Sequence, residues 1–371
     1  MIKIKFENLL VSIVVSVVVF FNTISTTMLE RTFFQVKVNF LFLVVLLLGL
    51  RFLYKMRVSY KYLILSILLL LSGVLVYFQT NRLNFLVYSM LLVLLVNVDM
   101  KVVLRNYVVV AGILVVGVFL LSLVGIVPNL QYNRAGVIRN SFGFIYPTDF
   151  ASHCFYLFLA ISYLLKDKFI WTRSLFGVLL SAFIIKYCDA RLNAVSILLA
   201  TVIFIYFYYS NGKKLKIFAL LPYSAVVFAS VVTYLSYKFS WSNPFLVSIN
   251  KLITGRLALG RNAFDTFGVH LFGTRNVQFI GSGGKTESVI GYNYVDSSYV
   301  QMLFTYGIVP VILLIIIYVV ASRKQYKDGQ YLLVTILSLI AFNCMIEAFW
   351  FVPTYNIFMF LLFTTNTFSK K

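Results

Sequence analysis

Residues 62–78 read YLILSILLLLSGVLVYF, an unbroken apolar run with Lys61 before it and Arg82 after it. Such a run approaches the ~20 residues an α-helix needs to cross a bilayer, and it lacks the alternation of a membrane-barrel strand. Working outward, polar or charged clusters delimit similar runs near 9–22, 38–54, 83–98, 107–127, 149–165, 170–186, 192–209, 215–236, 298–320, 331–349 and 352–368. The reading is an all-α polytopic integral membrane protein with about 12 transmembrane helices. It forms a single membrane domain over 1–371, with one large extracytoplasmic loop at 237–297.

Composition supports this class. The chain is 61% hydrophobic and only 12% charged, far from a soluble domain of this size. The net charge of +21 has no soluble basic domain to carry it, so nucleic acid is not an expected partner. The charge lies instead in short loops, where it orients the chain and meets anionic lipid headgroups. Cys154, Cys188 and Cys344 show neither disulfide nor metal spacing. Lys3 and Lys5 precede an apolar run with no small-residue cleavage site, which reads as an uncleaved first span.

Charge also sets the topology. With a cytoplasmic N-terminus, the inner segments collect Lys3 and Lys5, then Arg51, Lys55, Arg57 and Lys61, then Lys101 and Arg105, then Lys166, Lys168 and Arg173, then Lys213, Lys214 and Lys216, then Arg323, Lys324 and Lys327, and finally Lys370 and Lys371. Every inner loop then obeys the positive-inside rule, and both termini are expected in the cytoplasm. The remaining thirteen of the 32 Lys and Arg fall outside, mostly around Pro128–Thr148 and Tyr237–Val295. Loops on that face are normally poor in cations, so an anionic ligand is the natural explanation. In the long loop Leu246, Ile249, Ile253, Leu257 and Phe264 fall near helical spacing. They predict one interfacial helix with its apolar side down and Arg256 or Arg261 turned toward a cavity.

The candidate ligands follow. Arg134 and Arg139 share the first outer loop, Arg191 sits at the outer edge of a span, and Arg256, Arg261 and Arg275 lie in the long loop. Guanidinium forks bind phosphate oxygens bidentately and stay charged, which suits a diphosphate leaving group. The bland alternative is pairing with neighbours or headgroups, and Arg261 with Asp265 has the i, i+4 spacing of a surface pair. Asp296, in Asp296-Ser297-Ser298-Tyr299, is a candidate general base, or else part of a helix N-cap. Glu347, an acid among apolar residues near the outer end of a span, is functional by default. Tyr292 and Tyr294 are placed to stack on sugar rings. His153 and His270 have no acid at metal-site spacing, no Asp-x-Asp pair occurs, and no metal or other cofactor is expected. Gly281-Ser282-Gly283-Gly284-Lys285-Thr286 ends like a P-loop, but Phe279 stands where its first glycine belongs.

Together these features resemble the superfamily of O-antigen polymerases and O-antigen ligases, specifically the Wzy-type polymerases of capsule and exopolysaccharide. The likeness lies in the span organisation, the late outer loop and four short strings. Arg139-Asn140-Ser141-Phe142-Gly143-Phe144-Ile145-Tyr146-Pro147 is similar to the family's R-x-S-x-G-F-x-H-P-N. Asp189-Ala190-Arg191 is similar to its S-R pair, and Gly255-Arg256…His270-Leu271-Phe272-Gly273 to its G-R…h-P-l-f-G. Asp296-Ser297-Ser298-Tyr299…Tyr306-Gly307-Ile308 is similar to [HD]-N-x-Y-L…G-I. Tyr146-Pro147-Thr148 departs from His-Pro-Asn, Ser297 from Asn and Leu271 from Pro; Asp296 stands where ligases carry a histidine.

The resemblance implies a metal-independent glycosyltransferase acting on undecaprenyl-diphosphate-linked oligosaccharide at the outer face of a bacterial plasma membrane. Asp296, Arg191 and Arg256 would be catalytic. Arg134, Arg139, Arg261, His270, Arg275, Tyr294, Tyr299 and Glu347 would bind substrate. A chain-length regulator and a flippase are the expected protein partners. A ligase-like transfer to another acceptor, and a flippase or polysaccharide exporter, are the competing readings.

Overall fold

The structure is a computed structural model that describes residues 2–29, 60–134, 136–210, 213, 215–287 and 289–365. The expected span at 38–54 and the terminal Lys370 and Lys371 lie outside these residues. Numbered in order of appearance, the described helices are α1 Ile2–Ile24, α2 Tyr60–Thr80, α3 Asn84–Leu94, α4 Met100–Leu123, α5 Pro147–Leu164, α6 Ile170–Cys188 and α7 Arg191–Tyr209. They continue with α8 Ser224–Lys238, α9 Pro244–Leu252, α10 Arg256–Phe267, α11 Ser298–Thr305, α12 Ile308–Lys327, α13 Tyr331–Asn343 and α14 Ile357–Phe360. A short antiparallel hairpin, β1 Gln131–Arg134 and β2 Val137–Asn140, is the one departure from an all-helical design among the described residues.

The protein is an α-helical membrane protein. Among the described residues six helical segments are long and apolar enough to cross a bilayer: α2, α4, α6, α7, Lys216–Lys238 (3-10 turns leading into α8) and α12. Ile64, Ile67, Leu68, Leu71 and Leu75 of α2 and Val109, Ile113, Val116, Leu120 and Leu123 of α4 are exposed at helical spacing. Apolar surface this extensive on neighbouring turns needs lipid to cover it. The opposite helix faces are buried, and tyrosines within the bundle place their hydroxyls on partners: Tyr107 on Tyr355 O (3.0 Å), Tyr299 on Ala341 O (3.0 Å) and Tyr318 on Ser224 Oγ (2.8 Å). Gly177 lets α7 press against α6, since a Cβ there would sit 2.3 Å from Thr201 Oγ1.

Several expected spans are broken or short. The run at 298–320 divides into α11 and α12 at Gly307, whose φ is 92°. There the loop at 270–274 lies so close that a Cβ would meet Gly273 N at 2.3 Å. The loop carbonyls of His270 and Leu271 accept from Ile308 N (3.0 Å) and Val309 N (3.1 Å), satisfying donors that a helix start leaves open. The run at 83–98 is helical only to Leu94, 331–349 only to Asn343, and among the described residues of 352–368 only the short α14 is helical.

The expected interfacial helix over 246–267 is two helices, α9 and α10. Thr254 (φ 56°) and Gly255 (φ 88°) break it. Asn250 stabilises the break: its Oδ1 accepts from Leu257 N (3.0 Å) and Ala258 N (3.1 Å) at the start of α10. Leu246 and Leu257 then bury against Phe239, while Gly260 allows α10 to lie directly on Ser236 of α8.

Candidate functional site

One end of the bundle gathers the close of α1, the hairpin, the start of α5, the α6–α7 turn, the starts of α10 and α11, and the segment after α13. Strand alternation puts Tyr132 and Arg134 on one face of the hairpin, and the pairing of Tyr132 with Arg139 adds Arg139 to it. That face turns inward. The loop behind it is stapled to the end of α1 by Met28 N to Gly143 O (2.8 Å) and Ile145 N to Thr26 O (3.0 Å).

These elements enclose a cavity of about 520 Å³ whose wall includes Arg134, Arg139, Arg256, Tyr294, Asp296 and Glu347. With Tyr292, seven of the residues singled out in the sequence therefore meet at one place. A larger recess of about 690 Å³, between Lys166, Phe204–Tyr209 and Gly329–Leu332, brings together none of them.

The arginines are held differently. Arg134 pairs with the Asp189 carboxylate and donates to Asp189 O (2.9 Å), and Arg139 Nε donates to Cys188 O (2.9 Å). Both therefore serve the carbonyl end of α6, where cations are favoured. Arg139 retains a buried Nη2 with no hydrogen-bond partner. Burial, and then Arg134 beside it, press its pKa down to about 10, which leaves it protonated at neutral pH. Arg256 Nε lies 3.2 Å from Asp296 and 3.2 Å from Ile346 O, joining α10 to the approach to α11 and to the segment after α13. Its side chain is 16% exposed.

Asp296 does not cap a helix. The N-cap of α11 is Ser297, which makes no side-chain capping bond, and Asp296 faces Arg256 instead. Burial pushes its pKa up, against the opposing pull of Arg256 and Arg139. Glu347, in the turn beyond α13, is pushed up to about 8, burial outweighing Arg256. Asn193 Nδ2 approaches its Oε1 at 3.5 Å.

The other candidates lie elsewhere. Arg191 reaches Asp189 (2.9 Å) with its side chain 70% exposed, so it touches the cavity only through the carboxylate that also holds Arg134. Burial would raise the Asp189 carboxyl, but hydrogen bonds from Arg191 and Arg134 outweigh it and hold the group below its ordinary range. Arg261 pairs with Asp265 (2.8 Å) and donates to Tyr237 O (2.5 Å) on the far side of α10. His270 and Arg275 are exposed, and His270 contributes its backbone carbonyl to α12. Tyr299 is core, packed on Trp350 at 5.1 Å.

Residues not singled out as site candidates complete the wall: Thr26, Tyr132, Tyr146, Asp149, Gln301 and Tyr355. Asp149 in the first turn of a helix reads as an ordinary favourable charge at a helix start, and Tyr355 in an apolar run reads as core. The Gly-rich segment reaches the site too, since Gly283 N donates to Tyr146 Oη (2.6 Å) and Ser282 joins the wall. Among the described residues no three His, Cys, Asp or Glu side chains form a group able to hold a metal ion. No protein-family model, curated protein or solved structure matches this chain.

Proposed function

We propose that this chain is a glycosyltransferase that polymerises undecaprenyl-diphosphate-linked oligosaccharide repeat units on the outer face of a bacterial plasma membrane. The reading takes the ~12-span topology, with both termini inside, from the charge pattern. It takes its substrate class from the resemblance to the Wzy-type polymerases. The observation that carries it is the unpartnered Nη2 of Arg139 in the same cavity wall as the Arg256–Asp296 pair.

In this reading the acceptor's sugar hydroxyl gives its proton to Asp296 while its oxygen bonds to the anomeric carbon of the donor. The bond from that carbon to the lipid diphosphate breaks, and the diphosphate leaves with the electron pair. Attack from the opposite face inverts the anomeric centre. Arg139 and Arg256 neutralise charge as it develops, where scarce water makes fixed cations effective. Arg134 sets the hairpin's position, and Arg191 is a positioning residue acting through Asp189. Neither a metal nor another cofactor takes part.

The test is incubation of purified protein with a defined undecaprenyl-diphosphate oligosaccharide, with EDTA present. Dimers and longer products on the same lipid are expected. A single transfer onto a different acceptor would mark a ligase, and no product at all would overturn transfer.

A further inference from the structure

The transfer step uses the arginines and Asp296, and leaves the rest of the cavity wall without a role. That remainder has the opposite character. Asp149 and Glu347 supply carboxyl groups, Tyr132 and Tyr146 supply ring faces, and Tyr355 supplies a hydroxyl. Tyr355 is only 2% exposed. Its ring is clamped between His153 (centroids 4.2 Å) and Phe349 (3.9 Å), and His153 Nε2 is fixed 3.0 Å from Thr26 Oγ1. The Tyr355 hydroxyl comes beside Asp149 and Thr26 but makes no well-formed hydrogen bond, although the residue lines the cavity. A buried hydroxyl in that condition is costly unless a ligand completes it.

The aromatic wall is equally fixed. Tyr132 and Tyr146 stack at 5.5 Å and 27°. Tyr132 Oη donates to Ile145 O (2.6 Å), and Tyr146 Oη accepts from Gly283 N. Rings held this way offer a flat apolar surface at no further ordering cost.

A pyranose ring matches this arrangement. Its hydroxyls are donors that need acceptors, a carboxylate is acceptor only, and its C–H faces suit aromatic planes. We propose that Asp149, Tyr355 and the Tyr132–Tyr146 face form a pyranose subsite, with Asp149 accepting from the sugar's hydroxyls. The inference builds on the transferase reading for its biological setting, but its binding test does not depend on that reading.

The test uses the purified full chain in detergent and saturation-transfer NMR with maltose, lactose and chitobiose. Inorganic pyrophosphate, titrated in parallel, reports on the arginine wall. The wild type should bind at least one of these neutral disaccharides. Asp149→Asn should weaken the neutral sugar about tenfold, because one of the two acceptor oxygens becomes an NH2 donor facing the sugar's hydroxyls, and leave pyrophosphate binding within twofold. Arg139→Ala should do the reverse. Unchanged neutral-sugar binding in Asp149→Asn, or no neutral sugar bound by the wild type, would each overturn the subsite. Should Asp149→Asn lose pyrophosphate binding as well, Tyr355→Phe decides by the same criterion, since it removes only a hydroxyl. Wild-type protein that ignores pyrophosphate would sink the transferase reading and leave the sugar subsite standing.

Discussion

Arg256 and Arg261 lie on one short helix, α10, and share neither environment nor consequence. Arg256 opens the helix, is mostly buried and faces Asp296; Arg261 faces the outer groove beside Tyr237 and Trp241 and is satisfied by Asp265. Five residues at ~100° each set them about 140° apart around the helix, so one cannot join the cavity while the other does. The number of guanidiniums on a loop therefore says less than their phase on the element that carries them. The break at Thr254–Gly255 fixes that phase by starting a new helix at Arg256.

The sharpest way to test the contrast is at the buried pair. Arg256→Ala removes a cation from the site and leaves Asp296 without its partner, while Asp296→Asn keeps the shape and removes the base. Each should lower polymer formation by about 10³-fold, within the range of lost electrostatic stabilisation and lost general-base catalysis. The check is the rate of repeat-unit coupling by purified protein. Ser297→Ala, at the N-cap beside it, should leave that rate within about threefold, because Ser297 makes no capping bond.

Arg139 comes next. Arg139→Lys keeps the charge but lacks the planar fork, so it cannot both hold Cys188 O and direct a second donor to the ligand. About 10²-fold slower coupling is expected. Near-normal coupling by this variant would mean that its unpartnered Nη2 has no part in the chemistry.

Arg191→Ala should have a weaker effect, about three- to tenfold, because its contact with the cavity passes through Asp189 and its exposed ion pair is worth little. Inward-facing catalysis by Arg191 would instead give a loss comparable to that of Arg256→Ala in the same coupling assay.

Glu347 offers a contrast of protonation rather than position. Its carboxyl pKa is raised to about 8 in the folded chain from an ordinary 4.5. The folded state thus binds the extra proton, and stability should fall as pH rises between these values. The unfolding temperature of detergent-solubilised protein should decline across pH 5–8, and Glu347→Gln, which imitates the neutral acid, should flatten that decline. An unchanged slope in the variant would mean that Glu347 is ionised in the fold. Coupling at pH 7 by Glu347→Gln should stay within about threefold of wild type, since the neutral form is already present.

Much of this was legible in the residues before any coordinates. Apolar runs announce membrane helices because lipid allows no other arrangement of unsatisfied backbone, and α2, α4, α6, α7 and α12 all overlap expected runs, although α4 begins before its run at 107–127 and α12 ends after its run at 298–320. Arg256 and Asp296 were readable because charges beside apolar runs need a reason to be there. What escaped depends on contacts distant in sequence. Gly307 looks like one more residue in an apolar run until the 270–274 loop is seen to lie against it. Tyr355 and Asp149 look like core and helix start until their shared cavity is drawn. Tyr299, beside Asp296 in sequence, falls on the other side of α11 and points into the bundle. Adjacency along a chain does not survive the turn of a helix.

The smallest effect is the most demanding test of the contrast on α10. Arg261→Ala removes a positive charge from the same loop and the same helix as Arg256, yet its ion pair is exposed on both partners and worth little. Coupling should therefore change less than twofold, and Asp265→Ala should match it. If long-range potential on the outer loop drew the diphosphate in, losing Arg261 would slow coupling at low substrate and low salt, and the deficit would fade as salt is added. Coupling measured at two ionic strengths separates the alternatives. Equal rates for wild type and Arg261→Ala at both salts would confine anion recognition to the cavity wall, whereas a salt-sensitive deficit would make the whole loop part of the binding surface.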